Sequence, residues 1–190
     1  MRKSRLPRVV GMMVMFCAVM TITSSAQLLN TLLSFNGSNG QHPDSSLIQA
    51  TDGNFYGITQ NGGVTNQNCT SVGCGTVFQI TSSGTFTTLY QFCSLTNCAD
   101  GANPYGYLVQ GTDGNFYGTT IYGGANLYGT VFKSTPNGTL TTLHSFALIT
   151  DGAYPWAGLV QPPTAISTAQ LPRVVLILWA LCSKLPRAVR

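Results

Sequence analysis

The sequence predicts an all-β fold of propeller type, built from four-stranded blade repeats, and three observations carry that expectation. Ala50–Thr59 and Gly111–Thr120 share the words Thr-Asp-Gly-Asn-Phe-Tyr-Gly almost residue for residue. Gly75-Thr76-Val77-Phe78 recurs as Gly129-Thr130-Val131-Phe132, and Thr88–Phe92 recurs as Thr142–Phe146. Each copy holds four short apolar runs separated by Gly, Asn, Asp or Pro, and four strands in about 50 residues is the content of one propeller blade.

Met1 to Arg8 carries Arg2, Lys3, Arg5 and Arg8, and Val9 to about Ile22 is apolar. Ser24-Ser25-Ala26 then supplies small residues at a cleavage position, which makes 1–26 a secretory signal peptide. The apolar run falls short of the roughly 20 residues a membrane span needs. Cleavage after Ala26 leaves Gln27 as the new N-terminus, and 27–161 is the tandem-repeat region.

Thr31-Leu32-Leu33-Ser34-Phe35 is a third copy of the run at Thr88 and Thr142, and is expected to be the last strand of a blade. The motif Asp52-Gly53-Asn54-Phe55-Tyr56 and its copy Asp113-Gly114-Asn115-Phe116-Tyr117 read as a tight turn feeding an outgoing strand, because Asp, Gly and Asn tolerate positive φ. In the second copy strands are expected near Tyr107–Gln110, Phe116–Thr120, Thr130–Lys133 and Leu140–Phe146. Asp100–Pro104 parallels Asp151–Pro155, and Leu108–Gln110 parallels Leu159–Gln161. The chain thus offers about two and a half blades, fewer than the four a closed propeller takes, and is expected to be a fragment.

At these residues the chain resembles the GloVer tandem-repeat proteins, exported bacterial proteins that carry one of several alternative C-terminal anchors. The resemblance covers about Thr31 to Gln161. It rests on Leu-Val-Gln ahead of Thr-Asp-Gly-Asn-Phe-Tyr-Gly, the pairs Gly62-Gly63 and Gly123-Gly124, and Gly-Thr-Val-Phe. It implies export and a repeat architecture, and transfers no defined activity.

Of the nine Lys and Arg residues, four precede residue 9 and four follow residue 172, so Lys133 alone faces Asp44, Asp52, Asp100, Asp113 and Asp151 in the repeat region. That region therefore carries net −4, and it cannot neutralise a run of phosphates, which excludes nucleic acid as a partner. A membrane span in the mature chain is not expected either. A glycan or a cell-surface component is the partner class that remains open.

No catalytic, cofactor-binding or metal-binding residue is assigned. Asp52 and Asp113 with Asn54 and Asn115 offer oxygen ligands, but EF-hand spacing is absent and turn formation is favoured. His42 and His144 have no acid or cysteine nearby in sequence, and the chain has no Glu. Tyr105, Trp156 and Tyr122 sit in or beside expected loops, where they stack on a sugar ring or pack between blades. Cys69 with Cys74, and Cys93 with Cys98, fall in loop insertions after the second and fourth strands, so all four should lie at one end of the blades. An oxidising compartment favours two short-range disulfides over a zinc site. Two functions remain: a non-catalytic exported binding or scaffolding module, which the residues favour, and a fragment of an extracellular polysaccharide lyase or hydrolase whose catalytic residues lie in missing blades.

After Gln161 the repeat stops at Pro162-Pro163-Thr164. Writing Gln161 to Gln170 as CAG CCA CCG ACG GCA ATT TCT ACG GCA CAA, and adding one G after CAG, spells Gln-Ala-Thr-Asp-Gly-Asn-Phe-Tyr-Gly-Thr. Continued to Arg190, the same frame yields a double glycine and Gly-Thr-Val-Phe-Lys in register with Thr120 to Thr139. The tail 162–190 is therefore expected to be a frameshift product, and its apolar stretch Val174–Cys182 to be no selected anchor. Sequencing the gene tests this: one added base should extend the repeats past residue 190. Codons that forbid the reconstruction would make the tail a selected segment.

Overall fold

The computed structural model describes residues 31–69 and 72–160. The expected signal peptide (1–26) and the expected frameshift tail (162–190) lie outside the described residues, as does Gln161. The described strands are β1 (Ile48–Gln49), β2 (Phe55–Thr59), β3 (Thr76–Ile80), β4 (Phe86–Gln91), β5 (Ala102–Gln110), β6 (Phe116–Tyr122), β7 (Thr130–Ser134) and β8 (Leu140–Ser145), with one 3-10 turn at Thr96–Cys98. They form two antiparallel sheets of four strands, ordered β1-β2-β3-β4 and β5-β6-β7-β8. The chain is all-β, and each sequence repeat is one sheet.

Register repeats as faithfully as sequence. Gly57 faces Phe78 across β2 and β3, and Gly118 faces Phe132 across β6 and β7. Each Phe ring lies on its glycine: a Cβ there would come within 2.6 Å of the Phe Cζ in both sheets. This is why Phe-Tyr-Gly and Gly-Thr-Val-Phe recur together, since an aromatic ring covering a strand glycine supplies the packing the glycine lacks. One step further along, Thr59 and Thr76 share a buried hydroxyl–hydroxyl bond of 2.8 Å, and Thr120 and Thr130 share another of 2.8 Å. The pairing of β3 with β4 shifts between Val77 and Phe78, and that of β7 with β8 between Val131 and Phe132. These bulges leave Leu89 and Leu143 without a ladder partner, and each packs on a core cluster.

The main core lies between the sheets. Tyr56 of β2 meets Phe116 of β6 with ring centroids 4.1 Å apart, and Phe92 after β4 meets Phe132 of β7 at 5.1 Å. All four side chains are fully buried. Burying a large aromatic contributes about 1.5–3 kcal/mol from area alone, so these two contacts are principal determinants of how the repeats dock.

Two expectations change. Thr31–Phe35 forms no strand; the Phe35 ring instead covers Phe78 and Phe86, at 5.3 and 6.0 Å. A strand needs a neighbour's ladder, and no described strand pairs its backbone with this segment. The first strand of the second sheet begins at Ala102 rather than near Tyr107. Pro104 is tolerated in it because β5 is an edge strand, where a missing N–H costs no ladder bond.

Candidate binding site

The two turn motifs are built alike. In the first, Asp52 accepts from the Asn54 backbone N–H (3.0 Å), the Asn54 amide (3.0 Å) and the Tyr56 hydroxyl (2.7 Å). In the second, Asp113 accepts from the Asn115 backbone (3.2 Å), the Asn115 amide (2.7 Å) and the Tyr117 hydroxyl (2.8 Å). Gly53 and Gly114 sit at φ +82° and +77° with open space around them, so backbone conformation is the reason for glycine there. Tyr56 and Tyr117 belong to the motif read from the sequence, but their hydroxyl bonds back to Asp52 and Asp113 were not foreseen. The four-residue spacing of tyrosine from aspartate was the available signal, since alternation carries a strand residue at that distance back over the turn.

These bonds shift acidities. The Tyr56 hydroxyl holds Asp52 below the usual carboxylate range, and burial, with the Asp52 bond behind it, pushes Tyr56 up to about 12. Burial also opposes ionisation of Asp113, but the Asn115 and Tyr117 donors together outweigh it and hold its carboxyl below the usual carboxylate pKa range. Tyr117 is raised by burial and by Asp113, and burial pushes Tyr90 up to about 12. An unfolded tyrosine ionises near 10, so above that pH the unfolded chain releases protons that the folded chain keeps. Stability should therefore fall as pH rises from 10 through about 12. The aspartates work oppositely: their contribution is fully present above the ordinary value of 3.8 and is lost as pH falls below it through their lowered folded-state values. Ultraviolet titration at the tyrosinate band checks the first point: Tyr56→Phe should remove one late-ionising group, and an unchanged late phase would contradict the assignment.

Cys69 pairs with Cys74 and Cys93 with Cys98, with Cα–Cα distances of 5.4 and 4.0 Å. All four sulfurs lie within 4.8 Å of one another and all four residues are buried, so the two insertions meet at one end of the sheets as their loop positions imply. The Asn66 amide donates to the Cys93 carbonyl at 3.0 Å and to its sulfur at 3.2 Å, tying one loop to the other. With the sulfurs bonded in pairs, no thiolate remains to hold zinc.

His144 acquires a partner that the sequence did not disclose. Its Nε2 lies 2.6 Å from an Asp151 carboxylate oxygen, whose mate accepts from the Ala147 N–H at 2.6 Å. The equivalent pair in the first repeat is Tyr90 and Asp100. The fully buried Asp100 accepts from the Tyr90 hydroxyl (2.8 Å), the Ser94 backbone and hydroxyl (3.0 and 3.1 Å) and the Leu95 backbone (3.2 Å). Since Tyr replaces His at the same position with the same carboxylate, the His144–Asp151 contact closes a loop. Asp100 and Asp151 thus hold the crossing from one repeat to the next.

That crossing leads to a pocket. His42-Pro43, Asn103-Pro104 and Tyr154-Pro155 occupy equivalent positions, and His42, Asn103 and Tyr154 have φ of +55°, +53° and +56°. Left-handed backbone at a non-glycine residue costs of order 1–3 kcal/mol and persists only where surroundings enforce it. Here the Asn103 N–H is held by the Cys74 carbonyl at 2.7 Å, and the Tyr154 N–H by the Tyr128 carbonyl at 2.8 Å. A cavity of about 200 Å³ opens between the first two of these segments, lined by His42, Asp44, Ser45, Ser46, Gln60 and Tyr105, with Gly106, Tyr107, Ile58 and Pro104 completing the wall. Tyr105 is in β5 rather than a loop, and its ring is backed edge-on by Trp156 at 5.1 Å. Tyr122 ends β6 and clusters elsewhere, with Tyr154 at 5.6 Å.

Among the described residues no helix is long and apolar enough to cross a membrane. No curated protein matches the chain. The model of the Gloeobacter/Verrucomicrobia repeat matches residues 16–167, which takes in both sheets, the cysteine loops and the inter-repeat pocket. The chain belongs to the Gloeobacter/Verrucomicrobia repeat family.

Proposed function

We propose that the chain is an exported, non-catalytic repeat module that acts by binding or scaffolding outside the cytoplasm, each sheet serving as one blade of a propeller-type array. The observation that carries this reading is the contact between consecutive repeats. The strained segments at His42 and Asn103 flank it and leave a polar, aromatic-walled pocket, while the residues with perturbed acidity are used up in the turn motifs and in the Tyr90–Asp100 crossing. The disulfides and the repeat family support an extracellular setting. The one histidine–carboxylate pair among the described residues, His144 with Asp151, has a tyrosine at the equivalent place in the first repeat, which favours a structural role over acid–base chemistry.

Export is tested on the secreted product. Intact mass should place its N-terminus at Gln27, and Cys69, Cys74, Cys93 and Cys98 should resist alkylation until reduced. Retention of 1–26, or four reactive thiols in the secreted chain, would overturn the reading. The binding role is tested by co-sedimentation with insoluble polysaccharides and cell envelopes, together with an assay for reducing ends. Retention without release is expected, and steady release of reducing ends would replace the module with an enzyme.

A further inference from the structure

We infer that the pocket between the first two repeats is a subsite for one neutral sugar ring, with Tyr105 as its stacking wall and Asp44, Ser45, Ser46 and Gln60 as its hydrogen-bonding groups. This rests on the proposal that the chain is a binding module, and it names the site and the ligand class.

The chemistry of the wall selects the ligand. Sugar rings present apolar C–H faces and a rim of hydroxyls, so their sites combine an aromatic face with several convergent polar groups. Tyr105 provides the face and is half-buried, with Trp156 behind it fixing its orientation. A Cβ at Gly158 would fall 2.8 Å from the Tyr107 ring, so the glycine lets that ring, which also lines the pocket, pack against the following repeat. The polar groups are mixed donors and acceptors: the imidazole of His42, one carboxylate, two hydroxyls and the Gln60 amide. Ser45, which lines the cavity, adds a pointed observation, because its Oγ is buried and has no hydrogen-bond partner among the described residues. An unsatisfied hydroxyl favours any rotamer that finds a partner, and in the proposed site a χ1 rotation of Ser45 would bring its Oγ to a ligand hydroxyl.

Other ligand classes fit less well. An anionic ligand such as a phosphate or a uronate finds no cation in the wall and meets the Asp44 carboxylate, while the repeat region's single lysine, Lys133, is spent near Asp113. A purely apolar ligand would leave Ser45, Ser46 and Gln60 without partners on desolvation. The cavity, at about 200 Å³, is smaller than the 300–1,000 Å³ of sites that enclose larger ligands, which argues for a single ring or the end of a chain.

The experiment titrates the full exported chain with methyl glycosides of glucose, galactose, mannose and N-acetylglucosamine, alongside tetramethylammonium and inorganic phosphate, by ligand-observed NMR. At least one glycoside should bind, and Tyr105→Ala should weaken it tenfold or more. Asp44→Asn changes an exposed side chain, tests the pocket without threatening the fold, and should weaken binding severalfold. Tyr122→Ala, in the other aromatic cluster, should leave affinity unchanged. Glycoside binding that survives both Tyr105→Ala and Asp44→Asn would overturn the pocket while leaving the binding module intact. Binding of tetramethylammonium or phosphate alone, or of none of the probes, would overturn the sugar assignment; the module itself stands or falls on the N-terminal mass and the reducing-end assay.

Discussion

Phe132→Ala should lower the unfolding free energy by about 3–5 kcal/mol, the range for deleting a fully buried aromatic ring. Phe132 is 0% exposed, covers Gly118 within its own sheet and meets Phe92 of the other sheet. Removing it opens a cavity on both sides, and in a protein whose total stability is of order 5–15 kcal/mol that is a large fraction. The complementary substitution acts on the same contact from the other strand. Gly118→Val places its Cβ about where the Phe132 ring now stands, 2.6 Å from Cζ, and should destabilise by displacing the ring. Urea denaturation followed by far-ultraviolet circular dichroism measures both. A loss under about 1 kcal/mol for Phe132→Ala would mean that the sheets do not share this core.

Asp100→Leu should cost at least about 3 kcal/mol, comparable with breaking a buried network by removing its charged member. Four donors converge on this carboxylate, from the Tyr90 hydroxyl, the Ser94 backbone and hydroxyl, and the Leu95 backbone. Leucine of similar volume removes the acceptor that all four share and puts an apolar group where the buried carboxylate ties the strand to the crossing. Tyr90→Phe removes one donor and keeps the acceptor satisfied by the rest, so about 0.5–1.5 kcal/mol is expected. Asp151→Leu should be milder than Asp100→Leu, because the Asp151 side chain retains 21% of its exposure and water can serve the orphaned groups. Equal losses at Asp100 and Asp151 would contradict the difference in burial on which the ranking rests.

The strand positions were legible because they follow from local chemistry. Turn residues at Asp52–Asn54 and Asp113–Asn115, alternation after them and the repeat itself place β2, β3, β6, β7 and β8 close to where they lie. The cysteine loops were legible for the same reason: an even count of strands between two insertions brings them to one end, and the four sulfurs meet there. Thr31–Phe35 failed because a strand is a relation between two segments, and a copy of a strand sequence without a ladder beside it packs its Phe35 ring on Phe78 and Phe86 instead.

The chain by itself determined a repeating all-β architecture, its family, its turn chemistry and its short-range cysteine pairs, since each depends on residues a few positions apart or on one copy matching another. What joins copies was decided only in three dimensions. The bonds from Tyr90 to Asp100 and from His144 to Asp151 link a strand to a later turn. The Tyr56–Phe116 and Phe92–Phe132 contacts cross 60 and 40 positions of sequence. The pocket sets His42 and Asp44 against Tyr105 on a backbone turned left-handed at His42 and Asn103, and burial left the Ser45 hydroxyl there without a partner. Such contacts follow from which faces two sheets bury against each other, a choice governed by summed packing that no local pattern encodes.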